Sequence, residues 1–168
     1  MIYETTNVLF VKGLQNLLAC LDKAAAFADH KKIEFDVLLQ SRLAPDQFAL
    51  TRQIQITCDT AKLGASRLTG KPAPSHADDE KTLADVRARI QSTIDYLQSF
   101  KFEDYQNAKT QKVSQPRWEG KYLTGEEYVL HHMIPNFYFH ETTAYSILRH
   151  NGVEVGKKDF LGAMPYKQ

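Results

Sequence analysis

The chain has 168 residues, 43% hydrophobic and 24% charged, the size and make-up of one soluble globular domain. Lys and Arg number 21 against 20 Asp and Glu, a net charge of +1. That balance excludes a nucleic-acid binder relying on a broad basic surface, and it excludes a disordered chain.

Over residues 7–29, Leu14, Leu17, Leu18, Leu21, Ala25 and Ala28 recur on one helix face and predict a first long helix. The apolar piece 35–39 is too short for a bundle helix and is expected to pack across one end. Pro45 and Asp46 read as a helix start, because Pro suits a first turn and Asp complements the helix dipole. A second helix is therefore expected over 45–68, with Ile54, Cys58, Ala61, Ala65 and Leu68 in its stripe. Gly70, Pro72 and Pro74 end it.

Asp78, Asp79 and Glu80 put acid in the first turn of a third helix expected over 78–100, buried through Leu83, Val86, Ile90, Ile94 and Leu97. From Lys101 to Lys121 the helical pattern fails, and a long excursion is expected, with a short hairpin between 112–114 and 118–120. Excursions of this length in a small domain are often functional. Thr124 and Glu127 have the spacing of a capping box and open a fourth helical region to His150, interrupted or restarted at Pro135. Asn151-Gly152 closes it, and the tail 153–168 wraps a bundle end. Four helical regions without a strand series predict an all-α bundle filling 1–168 as one domain.

The N-terminal residues lack the basic and apolar pattern of a signal peptide, and no apolar run approaches the ~20 residues that span a bilayer. A cytoplasmic protein is expected, with Cys20 and Cys58 as buried free thiols. The motifs GxGxxG, GxxxxGK[ST], GxSxG and HExxH do not occur.

The distinctive stretch is 135–152. Asn136 and His140 are four apart and share a helix face, continued by Thr143 and Ile147. His140 reads either as a core histidine bonded to another helix or as a pocket residue and metal ligand. His132 joins the same stripe if the helix runs unbroken through Pro135. On the second helix Arg52, Gln55 and Asp59 are spaced by three and four; they read either as a solvated face or as partners of His140. Tyr138 and its aromatic neighbours suit a small-molecule pocket or plain core.

Residues 43–48 (LAPDQF), 52–55 (RQIQ), 135–145 (PNFYFHETTAY) and 147–153 (ILRHNGV) together resemble the DUF1993 family, a domain of unknown function, over nearly the whole chain. That family is similar to the DinB/YfiT-like superfamily of four-helix bundles. The resemblance implies an up-down-down-up bundle and a homodimer. It also implies a divalent metal held by one histidine of the second helix and an HxxxH of the fourth, a site that serves thiol transferases, hydrolases or isomerases. This sequence departs from the pattern: the second helix has no histidine, and Asn136 stands where HxxxH begins, leaving only His140. The expectation is thus a small-molecule-binding or structural dimer with a degenerate triad and no cofactor, its ligand-binding residues being His140, Asn136, Gln55, Asp59 and Tyr138. The alternative is an enzyme rebuilt around His140, with zinc or nickel there as the remaining metal option. Neither nucleic acid nor membrane is expected as a partner.

Overall fold

Apolar stripes decide which face each helix buries in the computed structural model, which describes residues 1–167. α1 (Leu9–Lys31) continues without a break from a π-helical turn, Tyr3–Val8, and buries Phe10, Leu14, Leu17, Leu21, Ala24 and Ala28. α2 (Phe35–Gln40) is a short helix with Leu38 and Leu39 inside. α3 (Leu50–Thr69) ends at Gly70, whose φ of +79° is the left-handed cap expected of it.

α3 begins five residues later than Pro45 suggests. Pro45 and Asp46 lie in a turn closed by Gln47 N–H to Ala44 O, and Leu50 N–H donates to Ser41 O at 2.9 Å, so the loop folds back on itself before the helix starts. The acidic run 78–80 is also outside its helix. α4 (Leu83–Gln98) starts at a reciprocal capping box between Thr82 and Asp85, and Asp78 and Glu80 turn instead to Arg89.

The excursion carries a 3₁₀ turn, Phe102–Tyr105, whose Tyr105 hydroxyl donates to Asn7 Oδ1 at 3.2 Å. A two-stranded antiparallel hairpin follows, β1 (Lys112–Val113) with β2 (Leu123–Thr124). The first strand lies where the sequence places it. The segment 118–120 is not its partner, because Glu119 and Gly120 adopt positive φ after a 3₁₀ turn at Pro116–Trp118.

Thr124 and Glu127 form the capping box of the last helix. α5 (Gly125–Tyr128), a π turn (Val129–Met133) and α6 (Ile134–His150) run as one rod. The π turn explains how the rod passes Pro135. Ile134 N–H reaches back to Val129 O, and the widened turn takes up the crowding a proline ring brings to the preceding turn. Gly152, at φ +95°, caps α6, with Val153 N–H on Leu148 O. In the tail α7 (Lys157–Leu161) lies along α1, fixed by Asn16 Nδ2 to Phe160 O at 2.9 Å and Lys23 to Asp159 at 2.7 Å.

Cross-helix contacts set the directions. Asn7 meets Leu97 and Asp22 meets Arg87, so α1 and α4 are antiparallel. Gly13 abuts Phe137 and Gly152 abuts Phe27, so α1 and α6 are parallel. Gln53 meets His140 and Arg67 meets Tyr128, so α3 opposes the last rod. The chain is therefore all-α with up-down-down-up order. Phe10 and Phe137 stack at 3.9 Å in its core, and Cys20 and Cys58 are buried free thiols that burial pushes up to about 11 and about 12. Among the described residues no helix is long and apolar enough to cross a membrane.

Candidate functional site

A cleft of about 530 Å³ lies between α3, the last rod and the excursion. Tyr128, His132, Asn136 and His140 line it from the rod, each four residues from the next. In an ideal α-helix every fourth residue drifts about 40° round the axis. The π turn takes part of that drift back, so the row keeps to one wall. His132 thus joins the stripe of Asn136 and His140 as a continuous helix requires.

His140 is 8% exposed, and its Nδ1 lies 2.7 Å from Gln53 Oε1. Gln53 Nε2 donates to Phe48 O at 3.0 Å, which fixes the amide with its oxygen toward the imidazole. His140 therefore carries its proton on Nδ1 and leaves the Nε2 lone pair for the cleft. Burial, reinforced by Arg52, pushes this histidine down to about 4, so the ring is neutral at physiological pH. Asn136 Nδ2 donates to Thr60 Oγ1 at 2.6 Å, completing a polar seam between α3 and α6.

The remaining expected residues separate. Asp59 lines the cleft, but its carboxylate accepts from Arg89 at 2.7 Å and pairs with Lys62 at 3.1 Å rather than meeting His140. Gln55 turns toward α4, accepting from Arg52 and donating to Glu80 Oε2 at 2.7 Å; it is not part of the cleft lining. Tyr138 is on another face of α6, edge-on to Phe10 and Phe137, beside a separate cavity with Gly13 and Glu141. The reason is helical phase. Gln53, Thr60 and Gly64 form the face of α3 that meets α6, whereas Arg52, Gln55 and Asp59 form the next face round. A buried glutamine in a row ending at a glycine was the signal available for Gln53.

Sequence reasoning also passed over Arg67 and Arg117. Arg67 Nη1 donates to the Tyr128 hydroxyl at 3.1 Å, and Arg117 Nη2 donates to His132 Nε2 at 2.8 Å. Burial, then Arg117 and Arg67, hold His132 below its ordinary value, so it too is neutral. Its ring stacks on Tyr128 at 5.3 Å.

A divalent metal of the superfamily type needs imidazole or carboxylate donors that converge. Among the described residues no three His, Cys, Asp or Glu side chains form such a set. Arg67 and Arg117 on the cleft wall also oppose a dication, and Asp59 is already neutralised. These residues do not fit the three-histidine metal.

The solved structure of a DinB family member protein from Shewanella denitrificans, at 1.83 Å resolution, is similar to the chain at 62% identity and a TM-score of 0.97, covering 100% of this chain and 96% of that one. No curated protein matches. The model of DUF1993, described as a domain of unknown function, matches residues 2–161, and the chain belongs to that family.

Proposed function

We propose that the protein is a small-molecule-binding bundle whose ligand occupies the cleft at His140, without the metal of its superfamily. The observation that carries this reading is the cleft itself. It brings an imidazole with a free acceptor, an amide seam and guanidinium donors against the apolar Ile56 and Leu63. Asp59, Asn136 and His140 line it together; Gln55 supports it from behind through Arg52.

The enzymatic alternative is less well supported. An imidazole pushed down to about 4 is a weak base at neutral pH, and among the described residues no Ser or Cys lines the cleft with it. The homodimer implied by the family resemblance belongs to the same proposal.

Two measurements test it. Amide chemical-shift mapping with a fragment set should place perturbations on α3, α6 and residues 115–117; a map elsewhere, or none, overturns the binding reading. Metal analysis of protein purified without chelator should find none at stoichiometric level, and zinc, nickel or iron that disappears in His140→Ala overturns the metal-free part. Light scattering that finds a monomer at micromolar concentration removes the dimer.

A further inference from the structure

The cleft holds more hydrogen-bond donors than the protein supplies acceptors for. A guanidinium carries five N–H donors in a fixed fork. Arg67 spends one on a tyrosine hydroxyl and Arg117 one on a histidine nitrogen, both neutral acceptors. Among the described residues neither arginine has a carboxylate within ion-pair reach, whereas Arg52 is bridged to Asp78 at 2.8 Å. The cleft's one carboxylate, Asp59, is engaged by Arg89 and Lys62.

Two further lining residues end in buried donors without an acceptor. One is Gln115 Nε2. The other is His132 Nδ1, which must carry the ring's proton because Nε2 accepts from Arg117. Unmatched buried donors are uncommon in folded proteins and call for an explanation. The two guanidiniums come from different elements, Arg67 from α3 and Arg117 from the 3₁₀ turn of the excursion. Tyr128 and His132, stacked on each other, hold them in place before any ligand arrives.

We propose that the cleft takes a small organic oxyanion, a carboxylate or phosphate head held between Arg67 and Arg117 with its apolar body against Ile56 and Leu63. This rests on the reading of the cleft as a binding site and adds the chemical class of the ligand. Charge-assisted bonds from two forks supply the affinity. Burial first, and then Arg117 and Arg67, hold His132 below its ordinary value beside this pair. With a net charge of only +1, the whole chain does not attract anions generally, so the selectivity is local.

Titration calorimetry and amide shift mapping with benzoate and phenyl phosphate, against benzyl alcohol as neutral comparator, test the proposal on the full chain. One or both anions should bind at the cleft, and the stronger of the two identifies the head group. Benzyl alcohol should bind at least tenfold more weakly, since a charged hydrogen bond contributes about 1.5–3 kcal/mol. Arg67→Gln and Arg117→Gln should each weaken the anion about tenfold, and Arg149→Gln, outside the cleft, should not. Arg117 is exposed, so Arg117→Gln decides the matter even if Arg67→Gln does not fold. If benzyl alcohol binds the cleft as well as the anions, or if anion binding ignores both variants, the oxyanion proposal fails while the cleft stays a binding site. If no probe perturbs the cleft, both readings fail.

Discussion

The Gln53 amide oxygen accepts the Nδ1 proton of His140 across the α3–α6 interface, with the amide's other end tied to the Phe48 carbonyl. A histidine so held should stay neutral until the pH falls near 4, as carbon-bound imidazole proton shifts would follow. Its folded value lies below the ordinary 6.5, so the stability it contributes is complete above pH 6.5 and is lost as pH drops toward 4. Gln53→Glu should raise the imidazole by placing a carboxylate against Nδ1–H. Gln53→Leu leaves a buried donor without an acceptor and should lower stability by about 1–3 kcal/mol in denaturant titration.

Glu141, the next residue, titrates with the opposite sense. It is 2% exposed, its Oε2 has no partner, and burial pushes it from 4.5 up to about 7. Its protonated form suits the fold, so stability is greatest below pH 4.5 and is lost as pH rises through 7. Glu141→Gln should therefore raise stability by about 2 kcal/mol at pH 8 and change little at pH 4.5. Between pH 4.5 and 6.5 the two neighbours offset each other. Thermal melts of His140→Gln should accordingly gain stability relative to wild type on acidification through that range, and those of Glu141→Gln should lose it.

Arg89 gathers Asp59, Asp78 and Glu80 at 2.6–2.7 Å with only 2% of its side chain exposed. Burial pushes Asp78 and Glu80 up, but the bonds to Arg89 outweigh it and hold both below their ordinary values. Stability from these carboxylates is present above their unfolded values and is lost as pH falls through the folded ones. Arg89→Met should destabilise the protein by about 3 kcal/mol, because the largely buried Glu80 loses its cation while Asp59 and Asp78 keep only Lys62 and Arg52. The variant should also flatten the acid limb of the stability curve and speed hydrogen exchange over residues 76–81.

Gly125 begins the last rod against the backbone of the excursion. A Cβ there would overlap the Ala108 carbonyl, and Leu68 closes the other side. Gly125→Ala should lower stability by about 3 kcal/mol despite alanine's better helix propensity. Gly156→Ala, where nothing lies within 4 Å, is the matched control and should be close to neutral.

Much of this fold was legible in the chain. Leu83, Val86, Ile90, Ile94 and Leu97 fall on one face because four packed helices require it, and Gly70 and Gly152 mark left-handed caps that other residues adopt at a penalty. The misplaced helix starts have a common cause. Pro45 and the acids 78–80 carry generic first-turn chemistry, while the actual starts depend on tertiary events, the return of Leu50 to Ser41 and the pull of Arg89. His140 and Asn136 share the helix face that their spacing predicts, and both line the cleft. Gln55 and Tyr138, which do not line the cleft, show the limit of that logic, since a face chosen from spacing alone can be close to half a turn away from the one that meets the partner. Arg117 was out of reach for a different reason. It sits in a segment without periodicity, brought to the cleft by a hairpin whose second strand no pattern located.

The π turn at 129–133 also sets an angular phase. It holds one residue more than an α turn, and removing that residue would rotate everything before it by about 100° relative to everything after. His132, Asn136 and His140, which follow the deletion, would stay in place while Tyr128 swung away, taking the support of Arg67 with it. Deleting the exposed Leu130 thus acts as a dial within the wall, turning Tyr128 and its hold on Arg67 away from the two imidazoles without changing any of those side chains.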